Sequence, residues 1–330
     1  MISRLHQLDR TLLNDFQRDF PLVNRPFAQI AETVGASEDE VLCHLTRLQN
    51  EGRIARVGGT VRPNTAGAST LAAMAVPEEA LHDVAQRVSQ EPGVNHSYLR
   101  ENDWNLWFVN TAPNEALLEA SLDAIRRDTG LQVLDLRLVR PFNIDLGFSL
   151  SGDKRSLPPQ REPDLSVLQE QDRGLLHALS QGLPICQTPF AKLAQTLGMA
   201  EDAVIDRIQT LFDAAILTRI GVIVRHRSVG WSSNAMVVWN VPQDRMIAAG
   251  TALAAHPGVT LCYQRRTVPG VWDYGLYSMI HARSRSEADA TLRSAAALPE
   301  LAGIDHLPLY SLHCYKQTGA VLDQAIRKAG

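Results

Sequence analysis

The 330-residue chain lacks the marks of a secreted, membrane-spanning or nucleic-acid-binding protein. Its four cysteines form no CxxC pair, which argues against a disulfide framework or a cysteine-built metal site and favours reduced thiols in the cytoplasm. No apolar run approaches the roughly 18 residues of a membrane span, and the first residues lack the apolar stretch of a signal peptide. A net charge of −4 gives no general attraction to nucleic acid or an anionic membrane.

What the chain does contain is an internal repeat. Residues 25–35, RPFAQIAETVG, return as residues 188–198, TPFAKLAQTLG, at a shift of 163 residues. The shift later becomes 165, where Pro92-Gly93-Val94 matches Pro257-Gly258-Val259. Two copies of one module in one chain make a covalent pseudo-dimer, in which a shared site can be asymmetric. The differences between the copies therefore become the functional question.

The first part of each copy has the pattern of a winged helix-turn-helix. Apolar residues between Leu8 and Phe20 recur at helical spacing. A second helix is predicted from Pro26 to Gly35, since proline suits the first helical position and glycine the C-terminal cap. Ser37 to Glu40 form a capping box that begins a third helix. Two short strands around Gly58-Gly59 are predicted to follow as a small hairpin.

The second part of each copy has a different rhythm. Apolar strands and amphipathic helices alternate in the order β-α-β-β-α-β, which predicts a ferredoxin-like sandwich and an α+β fold class. Residues 151–165 contain three prolines and no apolar period, and they are predicted to be an exposed linker. The predicted domains are winged helix-turn-helix modules at 1–67 and 166–230 and ferredoxin-like modules at 68–150 and 231–330, the last with a C-terminal tail.

This tandem order resembles the Lrp/AsnC family of amino-acid-responsive regulators. A narrower likeness lies in residues 93–108, where GVNHSYLR and DWNLWF resemble the HxYLR and NLWF signature of sirohaem decarboxylases. In the second copy, CYQRR at 262–266, WDYGLYSMIH at 272–281 and YKQTG at 315–319 resemble the partner subunit of those enzymes. The chain is therefore similar to a fused two-subunit sirohaem decarboxylase of haem d1 biosynthesis. The resemblance implies a carboxy-lyase that removes the C12 and C18 acetate carboxyl groups of sirohaem and gives 12,18-didecarboxysirohaem.

The residues quoted above suit such a substrate. Sirohaem is a flat iron tetrapyrrole with eight carboxylates, so a site for it needs arginine at the rim and aromatic or apolar walls. Period-two alternation places His96, Tyr98 and Arg100 on one face of a strand. We expect His96 to donate the proton that follows CO2 loss, Tyr98 to assist, and Arg100 to hold a carboxylate. No further cofactor is expected, because the substrate is itself an iron tetrapyrrole.

The second copy differs in the same strand. Leu261 stands where His96 would be, Tyr263 and Arg265 are kept, and Arg266 replaces Glu101. The productive pocket is therefore expected on the His96 strand. His226 has no counterpart in the first copy and is an alternative proton donor or an iron ligand of bound sirohaem. The predicted substrate-binding residues are Arg225, His226, Trp104, Tyr263, Arg265, Arg266, His281 and Lys316.

Two other function classes stay open at this stage. An Lrp-type DNA-binding regulator should meet phosphates with basic residues at the start of its third helix. Here that helix begins with acidic residues 38–40, which repel DNA and make this partner unexpected. A tetrapyrrole sensor without catalysis is the other class. The expected partners are sirohaem and didecarboxysirohaem, with no membrane; a homodimer and contacts with neighbouring haem d1 enzymes are open alternatives.

Overall fold

The computed structural model describes residues 6–144 and 161–323. In it, corresponding parts of the two copies belong to the same compact unit. One compact unit takes the described parts of residues 1–67, 147–230 and 319–329, and holds both helix-turn-helix modules. We call it the helical unit. The other takes the described parts of residues 68–146 and 231–318, and we call it the barrel unit. The predicted linker lies outside the described residues up to position 160.

The elements follow one another in the same order in both copies. The helices are α1 (Gln7–Asp15), α2 (Pro26–Val34), α3 (Glu38–Asn50), α4 (Leu81–Gln90), α5 (Glu115–Thr129), α6 (Asp172–Gln181), α7 (Pro189–Leu197), α8 (Glu201–Asp213), α9 (Met246–Ala255) and α10 (Arg285–Ala296). The strands are β1 (Ile54–Val61), β2 (Ala68–Met74), β3 (Val94–Arg100), β4 (Leu106–Ala112), β5 (Leu134–Asn143), β6 (Leu217–Val224), β7 (Ser233–Trp239), β8 (Val259–Arg265), β9 (Leu276–Ala282) and β10 (His306–Gln317). No helix of the described residues is long and apolar enough to cross a membrane.

Local sequence signals define the helix ends of the first module. Pro26 occupies the first turn of α2, and Gly35 ends that helix in the left-handed region at φ 68°. The capping box forms as predicted, because the Glu40 carboxylate accepts a hydrogen bond from the Ser37 backbone at 2.8 Å. The first helix is shorter than its apolar pattern suggests: it ends at Asp15, and Phe16 and Phe20 are buried beyond it.

The predicted hairpin around Gly58-Gly59 is wrong. Residues 54–61 form one continuous strand, β1, which pairs antiparallel with β6 of the second copy, and Gly58 lies opposite Gly221. The glycines serve close packing rather than a turn. A Cβ on Gly58 would lie 2.6 Å from the carbonyl oxygen of Leu179, and one on Gly221 would lie 2.4 Å from that of Gln17. Each copy thus supplies one strand of a shared two-stranded sheet.

A buried carboxylate in the first helix of each module neutralises an arginine of the third. Asp9 accepts hydrogen bonds from Arg47 at 2.6 and 2.7 Å, and Asp172 accepts them from Arg207 at 2.6 and 2.7 Å. Burial raises the pKa of Asp9, but hydrogen bonds from His44 and Arg47 outweigh that effect and hold the pKa below its usual value. These arginines therefore support the helix packing of their own modules.

The barrel unit contains two β-α-β-β-α-β modules, as predicted, and they complete each other. The strand order β10-β3-β4-β2-β5-β8-β9-β7 closes on itself. The last strand of each module is long enough to pair twice. β5 pairs with β2 through residues 134–137 and then with β8 of the other copy, while β10 pairs with β7 and then with β3. Closure leaves no unpaired sheet edge in this barrel.

The three largest apolar cores of the described barrel unit follow from this arrangement. One lies between the first sheet and its helices α4 and α5, and a second lies between the other sheet and α9 and α10. The third fills the barrel and is called the interior cluster. Its buried members are Leu71, Ala73, Trp107, Leu134, Leu136, Met236, Val238, Trp272, Tyr277 and Leu309. Residues that alternate with the helix-facing cores along each strand therefore face the barrel interior.

Candidate active site

Strand β3 brings the three predicted catalytic residues together on the interior face of the barrel. Tyr98 lies opposite Trp107 of the interior cluster, whereas Ser97 between His96 and Tyr98 lies opposite Phe108 of an outer core. The rings of His96 and Tyr98 stack at a centroid distance of 6.3 Å, and the guanidinium carbon of Arg100 lies 5.5 Å from the Tyr98 centroid. The arrangement places a proton carrier, a phenol and a fixed cation in one row.

The second copy repeats the cation and the phenol. Arg265 lies over Tyr263 at 4.6 Å, and Tyr263 stacks on Tyr277 at 5.9 Å. Both arginines reach across to the last strand of the other copy. Arg100 donates to the Leu309 carbonyl at 3.0 Å, and Arg265 donates to that of Leu136 at 2.8 Å. Each guanidinium is thereby held in place where the two copies meet.

A histidine of the second copy makes the two halves different. His281 lies on the interior face of β9, opposite Asn234 of β7. Burial, reinforced by the nearby positive charge of Arg100, lowers the pKa of His281 to about 4, so its imidazole is neutral near pH 7. At the equivalent place in the first copy, opposite Ser69, stands Thr111. The Arg100 half therefore combines His96 of one copy with His281 of the other.

Each of these imidazoles is held at its Nδ1 atom. Nδ1 of His96 lies 2.9 Å from Oδ1 of Asn95, and Nδ1 of His281 lies 2.7 Å from Oγ1 of Thr260. Both partners were missed by sequence reasoning. Their signal, visible in the repeat, is that Asn95 and Thr260 are equivalent positions at the shift of 165.

The loop between β8 and β9 is longer than its counterpart in the first copy and adds a tryptophan to the interior cluster. The connection from β8 to β9, residues 266–275, is five residues longer than that from β3 to β4. It inserts Trp272, whose ring meets Trp107 edge-on at 5.3 Å and whose Nε1 donates to the Tyr277 hydroxyl at 2.7 Å. Trp104 of the shorter loop packs against the same cluster. Trp272 was not singled out as a site residue, and the 163-to-165 change in the repeat shift lies upstream of this insertion, which appears only where Leu106 matches Leu276 at a shift of 170 residues.

Two predicted substrate-binding residues lie in other surroundings. Arg266 is exposed at the start of the long loop. Lys316 donates to the Ser89 carbonyl at 2.7 Å at the end of α4, and burial lowers its pKa although Glu91 acts in the opposite direction. A cation at a helix C-terminus is favourable for the helix, so Lys316 has a structural task of its own. Both assignments as substrate ligands stay predictions.

Arg225 and His226 belong to the helical unit. Arg225 is exposed after β6, and its backbone donates to the Arg53 carbonyl at 2.8 Å. His226 begins a short 3-10 turn that ends before Gly230 and is half-buried. The predicted roles of both residues stay predictions, as does the choice between His96 and His226 as proton donor.

Comparison with known proteins tests the resemblance. The family model for an AsnC-like ligand binding domain matches residues 66–143 and 228–316. The model for a siroheme decarboxylase NirDL-like HTH domain matches residues 9–54 and 172–217. The "Siroheme decarboxylase NirDL subunit" of Paracoccus pantotrophus is 58% identical over 319 residues, which cover 96% of this chain and 98% of that protein. The chain belongs to the sirohaem decarboxylase family.

Other relatives of this sirohaem decarboxylase family member show what each copy corresponds to. The "Siroheme decarboxylase NirD subunit" of Pseudomonas aeruginosa is 49% identical over 150 residues, which are 46% of this chain and the whole of that protein. A single copy thus matches a complete subunit elsewhere. The predicted family, α+β tandem fold and carboxy-lyase class are confirmed.

A solved structure has the same architecture over the whole chain. The crystal structure of the siroheme decarboxylase NirDL in co-complex with an iron-uroporphyrin III analogue has a TM-score of 0.69 and 25% sequence identity. It covers 98% of this sirohaem decarboxylase family member and 97% of the solved chain. That relative therefore binds an iron-uroporphyrin III analogue.

Proposed function

We propose that this chain removes CO2 from the acetate side chains at C12 and C18 of sirohaem and releases 12,18-didecarboxysirohaem for haem d1 biosynthesis. The observation that carries the proposal is the row His96, Tyr98 and Arg100 on the interior face of β3, with Arg100 fixed by the Leu309 carbonyl. Family membership and the named relatives support the substrate class.

Arginine suits the recognition of an acetate arm. Arg100 is only 6% exposed, and its contact with Leu309 engages one terminal nitrogen. A guanidinium carries its N–H donors in a planar fork that matches the geometry of a carboxylate. Tyr98 beside Arg100, with Trp107 opposite Tyr98, supplies aromatic surface at this face, and a carboxylate with little water around it loses CO2 more readily.

The reaction breaks one bond and forms another. The bond between the methylene carbon and the carboxyl carbon breaks, CO2 leaves, and the electron pair passes into the adjacent pyrrole. A proton then adds to the methylene carbon and gives a methyl group. We assign that proton to His96, which carries it as an imidazolium, with the Tyr98 hydroxyl assisting. His281 is neutral near pH 7 and therefore does not serve as the acid.

Anaerobic turnover with sirohaem, followed by product analysis and CO2 release, tests this proposal. His96→Ala should reduce turnover by about 10²–10⁴-fold, the usual contribution of a positioned acid. Arg100→Ala should also reduce turnover strongly, because the acetate carboxylate loses its cation. His82→Ala removes an exposed histidine of α4 in the same unit and should leave turnover unchanged. Near-normal rates in both site variants would refute the residue roles.

Substitution of each of the two equivalent arginines, Arg100 and Arg265, tests whether both halves of the barrel catalyse decarboxylation. If only the Arg100 half is productive, Arg265→Ala should weaken binding while leaving some turnover of each acetate, and Arg100→Ala should abolish both decarboxylations. The monodecarboxylated intermediate, separated by chromatography, measures this directly. Binding of sirohaem without CO2 release by the unaltered protein would instead identify a sensor and would exclude the proposed reaction.

A further inference from the structure

The β-bulges of the two copies lie at equivalent positions and carry the two residues that hold imidazoles. The pairing of β3 with β4 shifts between Val94 and His96, and that of β8 with β9 shifts between Val259 and Leu261. The bulged residues are Asn95 and Thr260. A β-bulge redirects a side chain relative to a regular strand and is frequent beside active sites. Here both redirected side chains meet a histidine Nδ1 atom.

The hydrogen bonds of Thr260 fix the tautomer of His281. The Thr260 hydroxyl has one hydrogen and lies 3.1 Å from the Met279 carbonyl oxygen and 2.7 Å from Nδ1 of His281. The carbonyl oxygen can only accept, which favours donation of that hydrogen to Met279. Oγ1 of Thr260 can then only accept at its 2.7 Å contact with Nδ1 of His281. Nδ1 must carry the hydrogen, and a neutral imidazole has only one. Nε2 of His281 is therefore the nitrogen without a hydrogen.

Asn95 acts on His96 in the same way. Its Nδ2 donates to the Thr111 hydroxyl at 3.4 Å, so its carbonyl oxygen Oδ1 is the atom that faces His96. An amide oxygen only accepts, and Nδ1 of His96 therefore carries a hydrogen. Nε2 is then the nitrogen of His96 that gains and loses the proton. Asn95 is buried, with 4% exposure, so this contact competes little with water.

We propose that Asn95 and Thr260 are positioning residues that fix the Nδ1–H tautomers of His96 and His281 and so direct both Nε2 atoms to the substrate. Equivalent bulge positions of the two copies thereby orient histidines that are not equivalent to each other. The same bulge position anchors the next residue of its own strand in the first copy and a residue of the neighbouring strand in the second. The effect of these tautomers on turnover rests on the proposed decarboxylase function. The assignment of the tautomers does not depend on that function.

Nitrogen-15 NMR of the full-length, histidine-labelled protein tests the tautomers. Thr260→Ser keeps the hydroxyl and should leave the His281 signals in the Nδ1–H pattern. Thr260→Val has nearly the same shape without the hydroxyl, and the Nε2–H tautomer should appear at His281 alone. Asn95→Leu should alter His96 alone. His281→Asn and His96→Asn assign the signals, and thermal unfolding of each variant verifies the fold.

Turnover then tests the consequence. Loss of a partner that orients a functional histidine should reduce the rate of sirohaem decarboxylation by about 10–100-fold, by analogy with outer partners of metal-bound histidines. Thr260→Val should show this reduction, and Thr260→Ser should restore the rate. An unchanged His281 tautomer in Thr260→Val overturns the proposal, and so does a changed tautomer with full turnover. If the unaltered protein releases no CO2, the proposed function fails while the NMR result still decides the tautomers.

Discussion

At the scale of single residues, two equivalent arginines in the two halves of the barrel differ in their electrostatic effect, because a histidine lies near one of them. Arg100 and Arg265 each lie over a tyrosine and each donate to a carbonyl of the other copy. Arg100 also acts on the charge of a histidine, His281. A nearby cation disfavours a second positive charge, so Arg100 helps to keep this imidazole neutral.

Removing that cation should raise the pKa of His281. In Arg100→Met, we expect the pKa to rise from about 4 and to stay below the ordinary value near 6.5, because burial is the larger cause of its depression. The His281 imidazole then becomes protonated at a higher pH than in the unaltered protein. A proton NMR titration of His281 measures the shift. Arg265→Met is the matched control, and an equal shift in it would contradict the assignment.

At the scale of elements, exchange of strands between the copies replaces edges that each module would otherwise expose. The same principle operates in both units. β1 pairs with β6 in the helical unit, and β3 and β8 receive the second halves of β10 and β5 in the barrel unit. Glycine makes the first exchange fit, since the backbone of the turn after α1 approaches Gly221 too closely for a side chain.

Two glycine substitutions of opposite sign test this packing. Gly221→Ala should destabilise the protein by at least about 1–3 kcal/mol, since its Cβ would lie 2.4–2.5 Å from backbone atoms of Phe16 and Gln17. Gly174→Ala lies within α6, where the nearest atom to a new Cβ is 3.5 Å away, and should stabilise the helix by about 0.5–1 kcal/mol. Urea unfolding measures both. A stable Gly221→Ala would show that β6 can move away from the turn that follows α1.

Elements that depend on local signals were predictable, and those that depend on the partner copy were not. Pro26, Gly35 and the Ser37–Glu40 box determine helix ends by contacts within one turn. The hairpin around Gly58-Gly59 was predicted from the common use of glycine in turns. In the structure, Gly58 instead leaves room for the backbone of Leu179 in the other copy. Likewise, alternation put His96, Tyr98 and Arg100 on one face, whereas the proximity of His281 needed the pairing of β10 with both β3 and β7.

At the scale of the whole molecule, the two helix-turn-helix modules carry little of the charge that DNA binding requires. The first turn of α3 carries Glu38, Asp39 and Glu40, and the Arg47 guanidinium later in that helix is bound by Asp9 and Glu51. In the second module Arg207 is bound by Asp172. The acidic first turn stabilises the helix, since carboxylates are favourable at a helix N-terminus.

The chain should therefore bind duplex DNA only weakly. Fluorescence anisotropy with a labelled random-sequence duplex should show little association at physiological salt, and any low-salt binding should fall steeply as salt rises. Asp39→Lys replaces an exposed carboxylate of α3 and should increase the low-salt affinity. Selection of a defined DNA sequence from a pool, with tight binding that persists in salt, would contradict a scaffold role.

Closure of the barrel across the copies also sets when the protein can fold during synthesis. Arg100 of β3 meets Leu309, 209 positions later in the chain. At the usual ~5–20 residues per second, the ribosome takes roughly 10–40 seconds to reach that strand, and the edge of β3 waits without its partner meanwhile. Such distant pairings are slow to form and exposed to wrong association. Translation of both copies as one polypeptide keeps the late strand tethered to the waiting edge, so that closure is an intramolecular event rather than a search for a second protein.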